Sequence, residues 1–263
     1  MLVHLKQNGF GLRYGAHIEQ APPARSMPLW FDDSPEMFAQ IQSGHPLVLG
    51  GEPGAGKSHI ASDIFESGYA SELGCFMLSC HINASNLKGR EATEETFKTA
   101  QELGEESVIV LDNLDFAIYT GGTRRRRSNR QTAEYCDFIS RSALQSLDAG
   151  CRILATVHSD AWRGNHSDAL PETKNAYHTL ISQLGGEQTF TGSMTAGNVE
   201  RILGYRGIAS STAASIAGEL HTLDELNFRN AYHINPDTYN EHGISAAVAC
   251  VRAVMQQKIA GGA

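Results

Sequence analysis

The segment Gly51-Glu52-Pro53-Gly54-Ala55-Gly56-Lys57-Ser58 constrains this chain more than any other feature. It fits the pattern G-x-x-x-x-G-K-[ST] without a gap. It follows the apolar run Leu47-Val48-Leu49, which reads as a strand, and precedes Lys57–Glu66, which reads as a helix. Glycines in such a loop let backbone N–H groups turn inward around phosphate oxygens. The helix that starts at the loop's end aims its positive pole at the same point. Lys57 is the charge for the β- and γ-phosphates, and Ser58 is the hydroxyl for Mg2+. Glu52, Pro53, Gly54, Ala55, Gly56, Lys57, Ser58 and the adjoining His59 are therefore the expected nucleotide-binding residues.

The rest of the pattern extends this unit into a sheet. Ser34-Pro35-Glu36 opens a short helix through Gln42, with Ser as N-cap and Pro at the first helical position. Strands are expected at Cys75–Cys80, Ser107–Leu111, Arg152–Val157 and Gln188–Thr191. Helices are expected at Thr93–Leu103 and Thr132–Leu147. Continuous apolar strands alternating with helices predict a three-layer α/β fold, a parallel sheet covered on both faces. After about residue 195 the periodicity is helical only, at Asn198–Leu203, Ser211–Leu220 and Ile244–Ile259. The expected division is an N-terminal arm over 1–33, a phosphate-loop α/β domain over 34–194, and a small all-helical lid over 195–263.

The second chemical signal is Val108-Ile109-Val110-Leu111-Asp112, followed by Asn113-Leu114-Asp115. An apolar strand ending in Asp delivers a carboxylate to the Mg2+ shell. It is expected beside the phosphate-loop strand, with Asp112 as metal residue alongside Ser58. Asp115 is either a second acid at the site or a solvent-facing loop acid.

With both motifs in place, the chain resembles the AAA+ ATPases over about residues 34–260. The likeness rests on GEPGAGKS, VIVLDNLD, the strand RILATV and the helical tail. It implies a five-stranded parallel sheet with a helical lid, ATP and Mg2+ held between them, and subunits assembled in a ring or helix. Asp112, Asn113, Asp115, Lys57 and Thr156 become the expected catalytic set. Thr156 or His158 stands near the sensor-1 position, which orients the attacking water.

Three departures accompany the likeness. The family reads Asp-Glu where this chain reads Asp112-Asn113, and asparagine holds a water without serving as a base. Asp115 would then have to substitute, or hydrolysis would be slow. No arginine finger is evident; Arg141, Arg152 and Arg163 are the candidates, and such a finger supplies roughly 10³–10⁵ in rate in analogous GTPases. The start of the final helix, His242–Ala247, lacks a sensor-2 arginine, and Arg252 lies deeper in that helix. These departures are similar to the less active rings of two-ring AAA proteins, including the second ring of vesicle-fusion ATPases, which bind ATP chiefly to hold an assembly together.

Positive charge concentrates in Gly121–Arg130, with Arg124, Arg125, Arg126, Arg127 and Arg130. It reads as a solvated loop, a polyanion contact, or an arm to a neighbouring subunit's nucleotide. Asn83–Gly89, where remodelling members place an aromatic pore loop, has no aromatic residue. Trp30 and Phe31 read as core packing residues, or as contacts to the adenine side or a neighbouring subunit, and Trp162 reads as a packing residue.

Composition bounds these readings. The chain has 263 residues, 41% apolar and 19% charged, and a net charge of −8, which argues against a whole-protein nucleic-acid coat. Five cysteines without a C-x-x-C pair and eleven scattered histidines signal neither disulfide framework nor zinc site. The opening residues lack the order of a signal peptide, no membrane span is expected, and a cytoplasmic location with reduced thiols follows. Three readings stand. The first is an ATPase that couples hydrolysis to oligomer assembly or remodelling of an unidentified protein partner. The second is a non-hydrolysing, ATP-stabilised subunit of a homo- or hetero-oligomer. The third is a helicase-loader-like ATPase on single-stranded nucleic acid, held through Arg124–Arg127.

Overall fold

A computed structural model describes residues 13–14, 17–18, 34–52, 54–64, 76–81, 87–117, 129–158 and 171–261. In chain order these form β1 (Arg13–Tyr14), β2 (His17–Ile18), α1 (Ser34–Gln42), β3 (Leu47–Gly51), α2 (Lys57–Ile64) and β4 (Phe76–His81). Then follow α3 (Leu87–Leu103), β5 (Ser107–Asp112), α4 (Asn129–Asp148), β6 (Arg152–His158), α5 (Pro171–Gln183) and β7 (Glu187–Thr189). The tail consists of α6 (Ala196–Tyr205), α7 (Ser210–Thr222), α8 (Phe228–His233) and α9 (Pro236–Gly261), the last broken at Gly243.

Strands β4-β5-β6-β3-β7 form a five-stranded sheet in that order, and every pairing is parallel. The expected three-layer α/β architecture with a helical tail is what the chain adopts. One detail differs. The Asp112 strand is not beside the phosphate-loop strand, because β6 lies between them. β3, β5 and β6 are all buried on both faces, and all three take interior slots, which cover both faces of such strands. Three carboxyl ends thus meet at one edge, β5, β6 and β3. In open α/β sheets that edge is where ligands sit.

Alternation along the strands builds two cores. Leu47, Leu49, Val108, Val110 and Leu154 face one side and form one apolar cluster with Met37, Ile41 and Ile60. Val199, Ile202, Leu203, Ile216, Leu220 and Val251 of the helical tail belong to that same cluster. Val48, Ile109, Leu111, Ile153, Ala155 and Val157 face the other side, under Phe97, Tyr135, Ile139, Tyr177 and Leu180 of α3, α4 and α5. The tail is therefore continuous with the core under the phosphate loop.

Several boundaries move. α3 begins at Leu87 and takes in Gly89, which was expected in a loop. α5 and α8 carry no signal in the sequence reading. α8 is only six residues long, yet Asn227 caps it, its side chain accepting from the Asn230 N–H at 2.9 Å. Arg206 donates to the carbonyls of Ala231 and Ile234 at 2.9 and 2.8 Å, satisfying the other end.

Candidate nucleotide site

The phosphate loop turns on two glycines with positive φ, Gly54 at 80° and Gly56 at 97°. Side chains at these positions would be strained. Inside the turn the Ala55 N–H donates to the Glu52 carbonyl at 3.1 Å. The segment after β7 braces it. Phe190 N–H donates to the Gly50 carbonyl at 2.7 Å. A Cβ on Gly192 would lie 2.0 Å from the Ala55 carbonyl oxygen, so only glycine allows this approach. The Gly192 carbonyl in turn accepts from the Phe228 N–H at 2.9 Å, at the start of α8. Loop and α8 thus share one strut.

Lys57 is buried, and its Nζ donates to the carbonyls of Gly51 and Glu52, both at 2.9 Å. Burial pulls its pKa down to about 8, against the opposing pull of Asp115 and Asp112. Ser58 donates to Asp112 Oδ1 at 2.8 Å. Thr156, fully buried at the end of β6, donates to the same oxygen at 2.7 Å and accepts from the Asn113 N–H at 2.9 Å. Ser58 and Asp112 are hard oxygen donors side by side, the chemistry Mg2+ takes.

Asn113 adopts φ 54°, a left-handed conformation that asparagine tolerates. Its side-chain amide donates to Asp112 Oδ2 at 3.3 Å. Asp115 is almost fully buried, so the loop-acid alternative does not describe it. Its carboxylate accepts from the His158 N–H at 3.1 Å and faces His158 Nδ1 at 2.7 Å.

The His59 ring points away from the loop, into α8. It lies 4.4 Å from the Phe228 ring and 5.3 Å from the Tyr232 ring, centroid to centroid. Burial, with some repulsion from His233, lowers its pKa to about 4.

The sequence reading missed Arg229. It looked for a lid arginine at the start of α9, whereas α8 supplies one. The Arg229 guanidinium pairs with the Glu52 carboxylate, and its Nε is buried with no hydrogen-bond partner. A Cβ on Gly54 would lie 3.6 Å from the Arg229 side chain. No motif announces it, because α8 is too short to show a periodicity. Arg252, the alternative considered, pairs with Glu225 within the helical tail.

Among the finger candidates, Arg152 lies at the opposite end of β6 from the site and donates to the Glu105 carbonyl at 2.5 Å. Arg141 is exposed on α4, its Nε donating to the Asp137 carbonyl at 3.3 Å. Pro53, Arg163, Trp30, Phe31, Trp162, Asn83–Asn86 and Arg124–Arg127 lie outside the described residues. Among the described residues, no group of three His, Cys, Asp or Glu is placed to hold a metal ion, and no helix is long and apolar enough to cross a membrane.

No curated protein matches the chain. Residues 47–156 match the model of the family described as ATPase family associated with various cellular activities (AAA). The span runs from the first residue of β3 to Thr156, and the helical tail lies beyond it. Parallel sheet, phosphate loop and buried acid agree with that match, which supports a P-loop ATPase domain of the AAA+ type over residues 47–156.

Proposed function

We propose that this chain binds ATP with Mg2+ between sheet and lid, hydrolyses it, and uses the cycle to change contacts within an oligomer or with a protein partner. The observation that carries the reading is a convergence. Lys57 and Ser58 come from one helix start, Asp112 and Thr156 from two neighbouring strands, and Arg229 reaches the same loop from α8. Catalysis of phosphoryl transfer is largely positioning and charge stabilisation, and these groups supply both. Lys57 would meet the β- and γ-phosphates. Ser58 and Asp112 would hold the metal ion. Thr156 would keep Asp112 and the Asn113 backbone in place.

Nucleotide entering the loop would give Arg229 a partner of higher charge than Glu52. Exchange of that partner would draw α8 toward the phosphates and move the lid. This is a route from bound nucleotide to a subunit or partner surface.

A second reading has its own support. The Asn113 amide is turned onto Asp112, and asparagine is no base. That favours an ATP-stabilised assembly subunit that does not turn over. Steady-state ATP hydrolysis at several protein concentrations, beside ATP affinity, for wild type and Lys57→Ala separates the two. Turnover that rises with concentration and vanishes in Lys57→Ala supports the ATPase and an oligomeric active form. Tight binding without turnover at any concentration overturns it in favour of the structural ligand.

A further inference from the structure

α8 is six residues long, too short to hold a position by its own cooperativity. Its neighbours place it. The Gly192 carbonyl accepts from the Phe228 N–H at 2.9 Å, and Arg206 donates to the Ala231 and Ile234 carbonyls at the other end. These bonds fix where the two ends of the helix lie. Its rotation about its own axis is set by the side chains it packs. That rotation decides where Arg229 points. A turn of about 20° moves a side-chain end at a helix's outer radius by about 2 Å, enough to break a hydrogen bond.

The residue beside Arg229 is Phe228, which is buried. Two rings pack against its ring. His59, in the first turn of α2, lies 4.4 Å away between centroids, tilted by 45°. Tyr232, one turn on in α8, lies 5.3 Å away and nearly parallel, at 17°. His59 meets the Tyr232 ring as well, edge-on at 5.3 Å. The three rings thus close a triangle between α2 and α8, and aromatic pairs at such separations attract beyond the area they bury. Burial, with some repulsion from His233, lowers the His59 pKa to about 4, so near neutral pH the imidazole is an uncharged plate. His59 directly follows Ser58, so the contact starts from the turn that carries Lys57 and Ser58. From the first turn of α8 the Arg229 guanidinium pairs with Glu52, and its stem lies 3.6 Å from where a Cβ on Gly54 would stand.

We propose that His59 is the positioning residue for Arg229, acting through the Phe228 ring to hold α8 in the rotation that brings the guanidinium to the phosphate loop. The inference rests on the nucleotide-binding reading above and on the part Arg229 has in it. The imidazole is not itself a ligand of the nucleotide in this arrangement. Its nitrogens play no part, and a flat apolar ring of similar size serves as well. An alanine at this place leaves Phe228 without its partner on α2 and lets α8 turn.

The test uses the full chain and a fluorescent ATP analogue with Mg2+. Affinity is measured for wild type, Lys57→Ala, Arg229→Ala, His59→Ala, His59→Phe and the double variant His59→Ala with Arg229→Ala, each checked for folding by circular dichroism. His59→Ala should weaken binding about fivefold, and His59→Phe should bind within about twofold of wild type. Arg229→Ala should weaken binding at least as much as His59→Ala. In the Arg229→Ala background, His59→Ala should change nothing further, because the residue it positions is gone. Lost packing alone would weaken binding by the same factor with or without Arg229. Where His59→Ala does not fold, Tyr232→Leu reaches the same triangle from its exposed end. It should weaken binding about twofold, and only while Arg229 is present; wild-type affinity, or a loss that persists without Arg229, overturns the proposal. Wild-type affinity in His59→Ala or in Arg229→Ala, equal losses in the two backgrounds, or a His59→Phe variant as weak as His59→Ala also overturns it and leaves the phosphate-loop reading intact. Wild-type affinity in Lys57→Ala overturns that reading, and the positioning role with it.

Discussion

Arg229 of α8 and Glu52 of the phosphate loop form an ion pair between the helical tail and the loop. Glu52 is mostly exposed and Arg229 is mostly covered. Exposed pairs of this kind contribute at most about 1 kcal/mol. The bond is therefore easily exchanged for a phosphate, whose charge is larger. Glu52→Gln should tighten ATP binding by a few fold, up to roughly fivefold, by removing the competitor. Arg229→Ala should weaken it and lower turnover. Titration with a fluorescent ATP analogue checks both. An Arg229→Ala variant with wild-type affinity and turnover would remove the lid from the site.

Lys57 makes ATP affinity pH-dependent in a defined direction. Its pKa lies at about 8 because burial disfavours the charged amine. Phosphate oxygens favour the charged form and raise that value on binding. Below pH 8 the amine is already charged and affinity should be flat. Above pH 8 binding must take up a proton, so Kd should weaken toward tenfold per pH unit. Lys57→Met should bind weakly with no such slope. Calorimetric titration in buffers of different ionisation enthalpy would count the proton directly.

His59 should make the lid interface acid-sensitive. Its pKa is lowered from 6.5 to about 4 by burial against Phe228 and Tyr232. In the unfolded chain it charges as pH falls through about 6.5, whereas the folded site resists until about pH 4. Stability is fully present above pH 6.5 and lost as pH falls toward 4, by about 3 kcal/mol from this group. Urea unfolding between pH 7 and pH 4.5 is the measurement. His59→Phe should flatten the slope; an unchanged slope in that variant would place the acid sensitivity elsewhere.

Thr156 uses its single hydroxyl twice, donating to Asp112 and accepting from the Asn113 N–H. Thr156→Val keeps the shape and removes both bonds, the one to Asp112 Oδ1, which keeps Ser58, and the one from the Asn113 N–H. The cost should be about 2 kcal/mol, a fall of roughly 5 °C in Tm. Turnover should fall further than ATP affinity, since Asp112 loses its orientation while Lys57 keeps its place. Thr156→Ser, which retains the hydroxyl, should restore most of both.

Local patterns carried much of this fold. The strand, glycine loop and helix start at Leu47–Ser58 are contiguous, so their chemistry can be read along the chain. The continuously apolar runs Ser107–Leu111 and Arg152–Val157 announce strands covered on both faces, which selects a parallel sheet. Periodicity also marked the helical tail, because α6, α7 and α9 are long enough to show an apolar face. Glu52, Lys57, Ser58, Asp112 and Thr156 were visible for the same reason: each sits at a fixed offset from a recognisable element.

Strand order and the pairings across it are of another kind. Nothing along the chain says that β6 enters between β3 and β5, since all three are apolar runs buried on both faces and their patterns are alike. Thr156 meets Asp112, and His158 meets Asp115, only because those two strands are neighbours. Arg229 reaches Glu52 only because Arg206 ties α8 down and Gly192 lets the strut touch the phosphate loop. Contacts between residues far apart along the chain come from packing a shared core. A linear pattern, which records spacing along one chain direction, carries no trace of them.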